Sequence, residues 1–193
     1  MIPLDIWLGG QFLGAPPLEV SVDKEVVDAA TALPRARLAV EFGVPGGDPN
    51  ATVHLSLNGA LWSGTYALGI PYDATSYEVG ADLVIRPWLL PRPDDASLPA
   101  NLRLFSDFAV GLRVIGLEQP WWPDQLRPGL AGRAGLGLAF GSEKRQGQVA
   151  LRYEAMIAGL GKTGTVDSAA QDMDWTWSPS GSRLWAELGF GFR

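Results

Sequence analysis

The sequence predicts an all-β fold, an eight-stranded antiparallel up-and-down transmembrane β-barrel with a polar, side-chain-filled lumen, built from residues 1–193 as a single domain. Three observations point there. The first is the stretch Asn101 to Glu118, which alternates at the strand period of two. One side carries Leu102, Leu104, Phe108, Val110, Leu112 and Val114 with only Ser106 among them. The other carries Arg103, Phe105, Asp107, Ala109, Gly111 and Arg113. A soluble sheet shows water long polar side chains; Gly and Ala beside Arg and Asp suit a crowded interior in which charges must pair. The second observation is that the same pattern recurs along the chain. The third is that no run approaches the roughly 18 apolar residues of a membrane-spanning helix, whereas a barrel strand needs only about 9–11.

Taken in order, Leu4 to Leu13 sets Leu4, Ile6, Leu8 and Phe12 against Asp5, Trp7, Gly9 and Gln11. A connection over 15–34 follows, with Pro16, Pro17 and Pro34, in which Ser21 to Leu33 is expected to form a short helix capped by Ser21. Arg35 to Val44 alternates again and stops at the turn cluster Pro45-Gly46-Gly47-Asp48-Pro49-Asn50. Val53 to Ala67 opposes Val53, Leu55, Leu57 and Leu61 to His54, Ser56, Asn58, Ala60 and Trp62. Ser76 to Arg86 opposes Tyr77, Val79, Ala81, Leu83 and Ile85 to Glu78, Gly80, Asp82 and Arg86, and Pro87 closes it because proline cannot donate to a ladder. After the 101–118 strand come Leu130 to Phe140, Gln148 to Ile157 and, beyond a loop, Arg183 to Arg193. That makes eight strands.

Composition narrows the function classes. The chain is 47% hydrophobic, enough for a folded protein. Its formal charge of −6 argues against nucleic-acid binding, which draws on a basic surface. There is no cysteine, so neither disulfides nor thiolate metal sites are available, and no motif calls for a cofactor. Met1-Ile2-Pro3 leads straight into alternating sequence without the basic and apolar regions of a signal peptide, as expected of a mature chain.

Connection lengths add an independent signal. The two shortest, residues 44–52 and 141–147, both follow even-numbered strands and are expected on one rim, with longer connections on the other. Trp62, Trp88, Trp121, Trp122, Trp175 and Trp177 fall near strand ends or in loops, where an aromatic belt belongs, while Trp7 and Trp185 fall on the polar face.

With eight alternating segments and the aromatic-rich final strand Leu184-Trp185-Ala186-Glu187-Leu188-Gly189-Phe190-Gly191-Phe192-Arg193, the chain resembles the small eight-stranded outer-membrane barrels of Gram-negative bacteria, the class of outer membrane protein A. Such chains usually end on the aromatic residue itself; here Arg193 follows. The resemblance implies a bacterial outer-membrane location among lipids and lipopolysaccharide. It also implies a structural or interaction role through the external connections 15–34, 118–129 and 162–181.

The polar face supplies the candidate site. Directed inward, it brings Arg35, Arg37, Arg86, Arg103, Arg113, Arg133, Arg152, Arg183 and Arg193 together with Asp5, Glu41, Glu78, Asp82, Asp107, Glu154 and Glu187. An eight-stranded barrel is only wide enough for side chains to fill, so the expectation is a plug of Arg–carboxylate pairs. A narrow porin-like channel lined by the arginines is the alternative. The remaining acids make the loops acidic; Asp167, Asp172 and Asp174 are of the type that holds a divalent cation, but a solvated acidic loop without a metal is the expectation. His54-Leu55-Ser56, with Glu78 or Asp82 on the next strand, is the one catalytic-looking constellation and resembles the His-x-Ser arrangement of outer-membrane lipid A deacylases, but His54 faces the lumen near the inner rim, so a histidine satisfied in the polar lumen, and no enzyme, is the expectation. A third reading turns the barrel outside in, as a soluble, lipocalin-like binder of an apolar ligand. It would leave a Gly- and Ala-rich outer surface with only three lysines, Lys24, Lys144 and Lys162, in the chain.

Overall fold

The computed structural model describes residues 2–14, 18–22, 25–29, 35–45, 50–67, 71–89, 102–118, 125–142, 145–159, 162–168, 171–177 and 182–192. Twelve strands run through them: β1 (Leu4–Gly14), β2 (Leu18–Val22), β3 (Glu25–Ala29), β4 (Ala36–Gly43), β5 (Ala51–Ala67), β6 (Pro71–Pro87), β7 (Arg103–Glu118), β8 (Gln125–Gly141), β9 (Arg145–Gly159), β10 (Lys162–Ser168), β11 (Gln171–Trp177) and β12 (Ser182–Phe192). Eight of them close a barrel in the order β1-β12-β9-β8-β7-β6-β5-β4, every pair antiparallel. Closure removes the sheet edges, and in hydrocarbon that leaves no backbone donor of the wall exposed.

The alternation fixes which way each strand faces. Leu112 is 67% exposed, Leu136 59% and Leu188 57%, whereas Arg86, Asp107 and Arg152 are fully buried. Exposed leucines around the wall and buried guanidiniums within it invert a soluble protein. That excludes the lipocalin-like arrangement, whose greasy face would be inside. The apolar girdle is the surface a bilayer covers.

Both described chain ends and the two short connections lie at one end of the barrel. Leu4 pairs with Phe42 and with Phe192, and Gly43 with His54, at the rim where β8 turns into β9. Gly141 at that turn has φ of 114°, a left-handed conformation that favours glycine, and the Ser142 amide donates to the Arg145 carbonyl at 2.9 Å. The expected division by length does not hold throughout: Pro87 pairs with Ala51, so the 88–102 connection leaves this same rim, whereas the 68–70 connection between β5 and β6 lies at the opposite rim with those after β1, β7 and β9.

There the sequence reading needs correction. The helix expected over Ser21 to Leu33 is two strands, β2 and β3, with residues 23–24 and 30–34 outside the described residues. The connection after β9 likewise contains the β10–β11 hairpin. These four strands form a second sheet in the order β10-β11-β2-β3. Val20, Val22, Val26 and Val27 give this region a β-branched character that favours strand over helix. Several barrel strands are also longer than the alternation suggests: β6 starts at Pro71, and β8 runs from Gln125 through Pro128, opposite Val114.

A candidate functional site in the lumen

The inward positions build a polar core of buried charge. At the end near the chain termini, the Arg86 guanidinium donates to Asp5 at 3.0 Å and to Glu41 at 2.6 Å. Trp7 Nε1 adds a 2.9 Å hydrogen bond to Glu41, and Gln148 Nε2 donates to Asp5 at 3.0 Å. Arg133 reaches the other Glu41 oxygen at 3.3 Å. The carboxylates of β1 and β4 are thus held by donors from β1, β6, β8 and β9, across the barrel axis.

At mid-height, Arg152 grips Asp107 with Nε at 2.8 Å and Nη2 at 2.7 Å, and donates through Nη1 to Glu187. Its guanidinium lies 3.9 Å from the centre of the Trp7 ring, so one face of the cation is covered by aromatic carbon while its edge meets carboxylates. Arg37 crosses to Glu154 at 3.2 Å and Glu187 at 3.6 Å, above the Trp185 ring. The two tryptophans on the polar face are therefore floors for arginines. Gly189 makes room for one of them: a Cβ there would sit within 3 Å of the Trp7 ring.

Toward the opposite rim, Arg113 forks onto Asp82, donates to Glu154 at 2.8 Å, and has Nε 3.0 Å from Glu78. Arg183 donates to Glu78 at 2.5 Å and Arg35 approaches it at 3.8 Å. Asn58 donates to Asp82 at 3.0 Å. Among the described residues these contacts join seven arginines to seven carboxylates, so the plug is formally neutral. Desolvated charges are tolerated only in such company: most have two or more partners, and losing one partner leaves the other buried and uncompensated.

Arg103 lies over an aromatic ring. Its guanidinium lies 3.7 Å from the centre of the Trp88 ring at the rim. Trp88, expected in a lipid-facing belt, instead packs edge-on against buried Phe105, which in turn meets Trp7. The Trp88 amide donates to the Asn50 carbonyl and the Leu89 amide to that of Leu104, pinning the segment across the rim. Trp121, Trp122 and Arg193 lie outside the described residues, as do the side chains of Trp62, Trp175 and Trp177.

His54 and Ser56 are both buried on the lumen face, but they do not form a hydrolytic arrangement with Glu78 or Asp82. His54 Nε2 is 2.9 Å from Thr52 Oγ1, and Nδ1 faces Asp5 of β1 at 3.7 Å. Asp82 is opposite Ser56 in register, yet its oxygens are taken by Arg113 and Asn58. Glu78 is occupied by Arg113 and Arg183. Asp5, Glu41 and His54 bring ligand-type atoms within 4.8 Å of one another, but Arg86 already bridges the two carboxylates, making the cluster an ion-pair node. The candidate cation ligands Asp167 and Asp172 are opposite each other in the β10–β11 ladder, with side chains outside the described part.

No protein-family model matches this chain, and no curated protein matches it by sequence. Solved structures do. The outer membrane protein OprG from Pseudomonas aeruginosa superposes with a TM-score of 0.60 at 12% identity, covering 97% of this chain and 94% of that one. A major outer membrane protein from Thermus thermophilus gives 0.54 at 13% identity over 100% and 99% of the two chains. Neisserial surface protein A gives 0.52 at 9% identity over 99% and 96%. Identities this low carry the fold alone, and together with the closed wall and its apolar girdle they define it: this chain has the architecture of the small β-barrels of the bacterial outer membrane.

Proposed function

We propose that the protein is a closed outer-membrane barrel, plugged by Arg–carboxylate pairs, whose function is exerted through its external segments on a partner or on the cell surface. One observation carries this reading: the buried ion pairs run across the axis between opposite walls, as from Arg37 on β4 to Glu154 on β9 and from Arg86 on β6 to Asp5 on β1. An arginine-lined channel keeps its cations hydrated and apart from acids; here each described guanidinium of the core lies against carboxylates at contact distance. Burial by facing side chains leaves little space for water, as expected of a barrel of this strand number.

The resulting molecule is a rigid anchor. It offers lipid an apolar band and offers the exterior a second sheet, β10-β11-β2-β3, mounted on the rim away from the chain termini. The reading is tested by planar-bilayer recording of the folded wild-type protein. A closed barrel gives no large steady conductance; a stable, voltage-independent open level in most insertions would replace this reading with the porin-like one.

A further inference from the structure

The outer wall carries a groove of about 710 Å³ where β7, β8, β9, β12 and β1 run side by side. The ladder register shows how it is made. Leu104, Leu138, Val149, Leu188 and Leu8 stand in one row across those five strands. Leu136, Leu151, Ala186 and Gly10 stand in the next row of outward positions. Between the two rows lie Gly137, Ala150, Glu187 and Gly9, inward positions that leave their backbone as the floor of a trough. Ala186 and Gly10 make the second side low where it crosses β12 and β1.

Dimensions and chemistry restrict what can lie there. Rows two residues apart along a strand are about 7 Å apart, whereas a helix with its side chains is about 10–12 Å across, so the trough admits a single extended chain and no helix. A second barrel would meet this convex wall with another convex wall and reach the floor only with isolated side chains. Polar recognition is lacking too. The floor's amides and carbonyls are spent on the ladders, and Glu187 turns its carboxylate inward to Arg152 and Arg37.

Length and slope point to the source of the occupant. Five strands about 4.8 Å apart give a trough of about 19 Å, and strands tilted by about 35–45° make it climb about 12 Å, close to half of the roughly 30 Å hydrocarbon core. Its end nearest the chain termini is Leu104, whose carbonyl accepts from the Leu89 amide in the segment crossing that rim. Its other end, Gly10, is in the far half of β1.

We propose that this trough binds one acyl chain of a phospholipid from the leaflet on the side of the chain termini, entering at Leu104 and ending at Gly10. An unfilled trough leaves its sides and floor without contacts, so a chain seated in it is held in preference to lipid passing the rest of the girdle. The site belongs to the outer wall and is independent of whether the lumen conducts.

The test uses the full chain folded into phosphatidylcholine liposomes. They contain a trace of phosphatidylcholine with a photoactivated diazirine on one acyl chain, near the carbonyl in one probe and near the terminal methyl in the other. Adducts located by mass spectrometry should be several-fold richer on the trough than on Leu57 and Leu83, exposed on the wall of β5 and β6. The carbonyl-end probe should favour Leu104 and Leu138, and the methyl-end probe Leu8 and Ala186. The double variant Gly10→Leu/Ala186→Leu fills the far end. A Cβ on Gly10 has the Arg35 carbonyl as its nearest contact, at 3.9 Å, so the barrel accommodates it, and circular dichroism verifies folding. This variant should lose the methyl-end enrichment. Gly59→Leu on β5, where a Cβ lies 3.6 Å from the Glu78 carbonyl, should keep it. Labelling spread evenly over the girdle, the two probes in reversed order, or unchanged enrichment in the double variant would overturn the proposal. So would crosslinking between copies of the chain through Leu8 or Leu188, which assigns the trough to a second copy.

Discussion

Arg152 is the residue on which the closed lumen can be tested most sharply. It is fully buried, holds Asp107 with two nitrogens, donates to Glu187 and covers the Trp7 ring. Replacing it with Met preserves much of the apolar stem but takes the cation from Asp107 and Glu187, its two nearest carboxylates, and from Glu41 at 3.7 Å. Among the described residues, Asp107 then has Arg86 at 3.7 Å and Glu187 has Arg37 at 3.6 Å. Breaking a buried pair by removing one partner costs about 3–5 kcal/mol, and loss of the stacked cation adds about 1–2 kcal/mol. Arg152→Lys keeps the charge and loses the fork, so its cost should be about half as large. The assay is equilibrium unfolding by denaturant in phospholipid vesicles, comparing both variants with wild type. If Arg152→Met costs under about 1 kcal/mol, water reaches those carboxylates and the plugged lumen is wrong.

Three further outcomes follow from the same architecture. Arg113→Ala removes donors from Asp82, Glu154 and Glu78 together, and should lower stability while raising leak in planar-bilayer recordings. Leu112→Arg or Leu136→Arg places a cation on the exposed apolar girdle and should impair folding into liposomes by about 2–4 kcal/mol where the site is near the midplane. Gly189→Val puts branched carbon where the Trp7 ring lies, and overpacking should cost about 1–3 kcal/mol in the same unfolding assay. The substitution also pushes Trp7 away from Glu41 and Arg152, so tryptophan emission should shift with it.

The barrel is legible in the sequence because its logic is local. Period-two alternation decides inside from outside residue by residue, and small residues beside charges distinguish a crowded lumen from a solvated face. The partners within the lumen are less legible. Arg37 meets Glu154, far along the chain, because strand stagger around a closed barrel sets which inward residues share a level, and alternation carries no stagger. The role of Trp7 and Trp185 as floors for guanidiniums is hidden for the same reason; only their place on the polar face gives a signal. Sequence matches His54 with acids on the adjacent strand, whereas closure of the barrel brings Asp5 of β1 to it. Trp88 misleads because a tryptophan after a strand-closing proline suits either a lipid belt or an inward turn, and the Asn50 carbonyl decides between them. The external sheet escapes a sequence reading because Ser21 reads as a helix cap, and strands of five to seven residues give alternation few periods in which to show.

The central claim, an inside-out wall around a closed polar core, is tested most directly by single spin labels along β7. The chain has no cysteine, so one can be introduced at each position from Leu104 to Val114 and labelled in liposomes. Collision with oxygen, which concentrates in hydrocarbon, should peak at Leu104, Phe108, Val110 and Leu112. Labels at Phe105, Asp107, Gly111 and Arg113, where tolerated, should be shielded both from oxygen and from a water-soluble nickel complex. High nickel access at those inward positions would show a water-filled lumen, and oxygen access without period-two alternation would contradict the barrel wall itself.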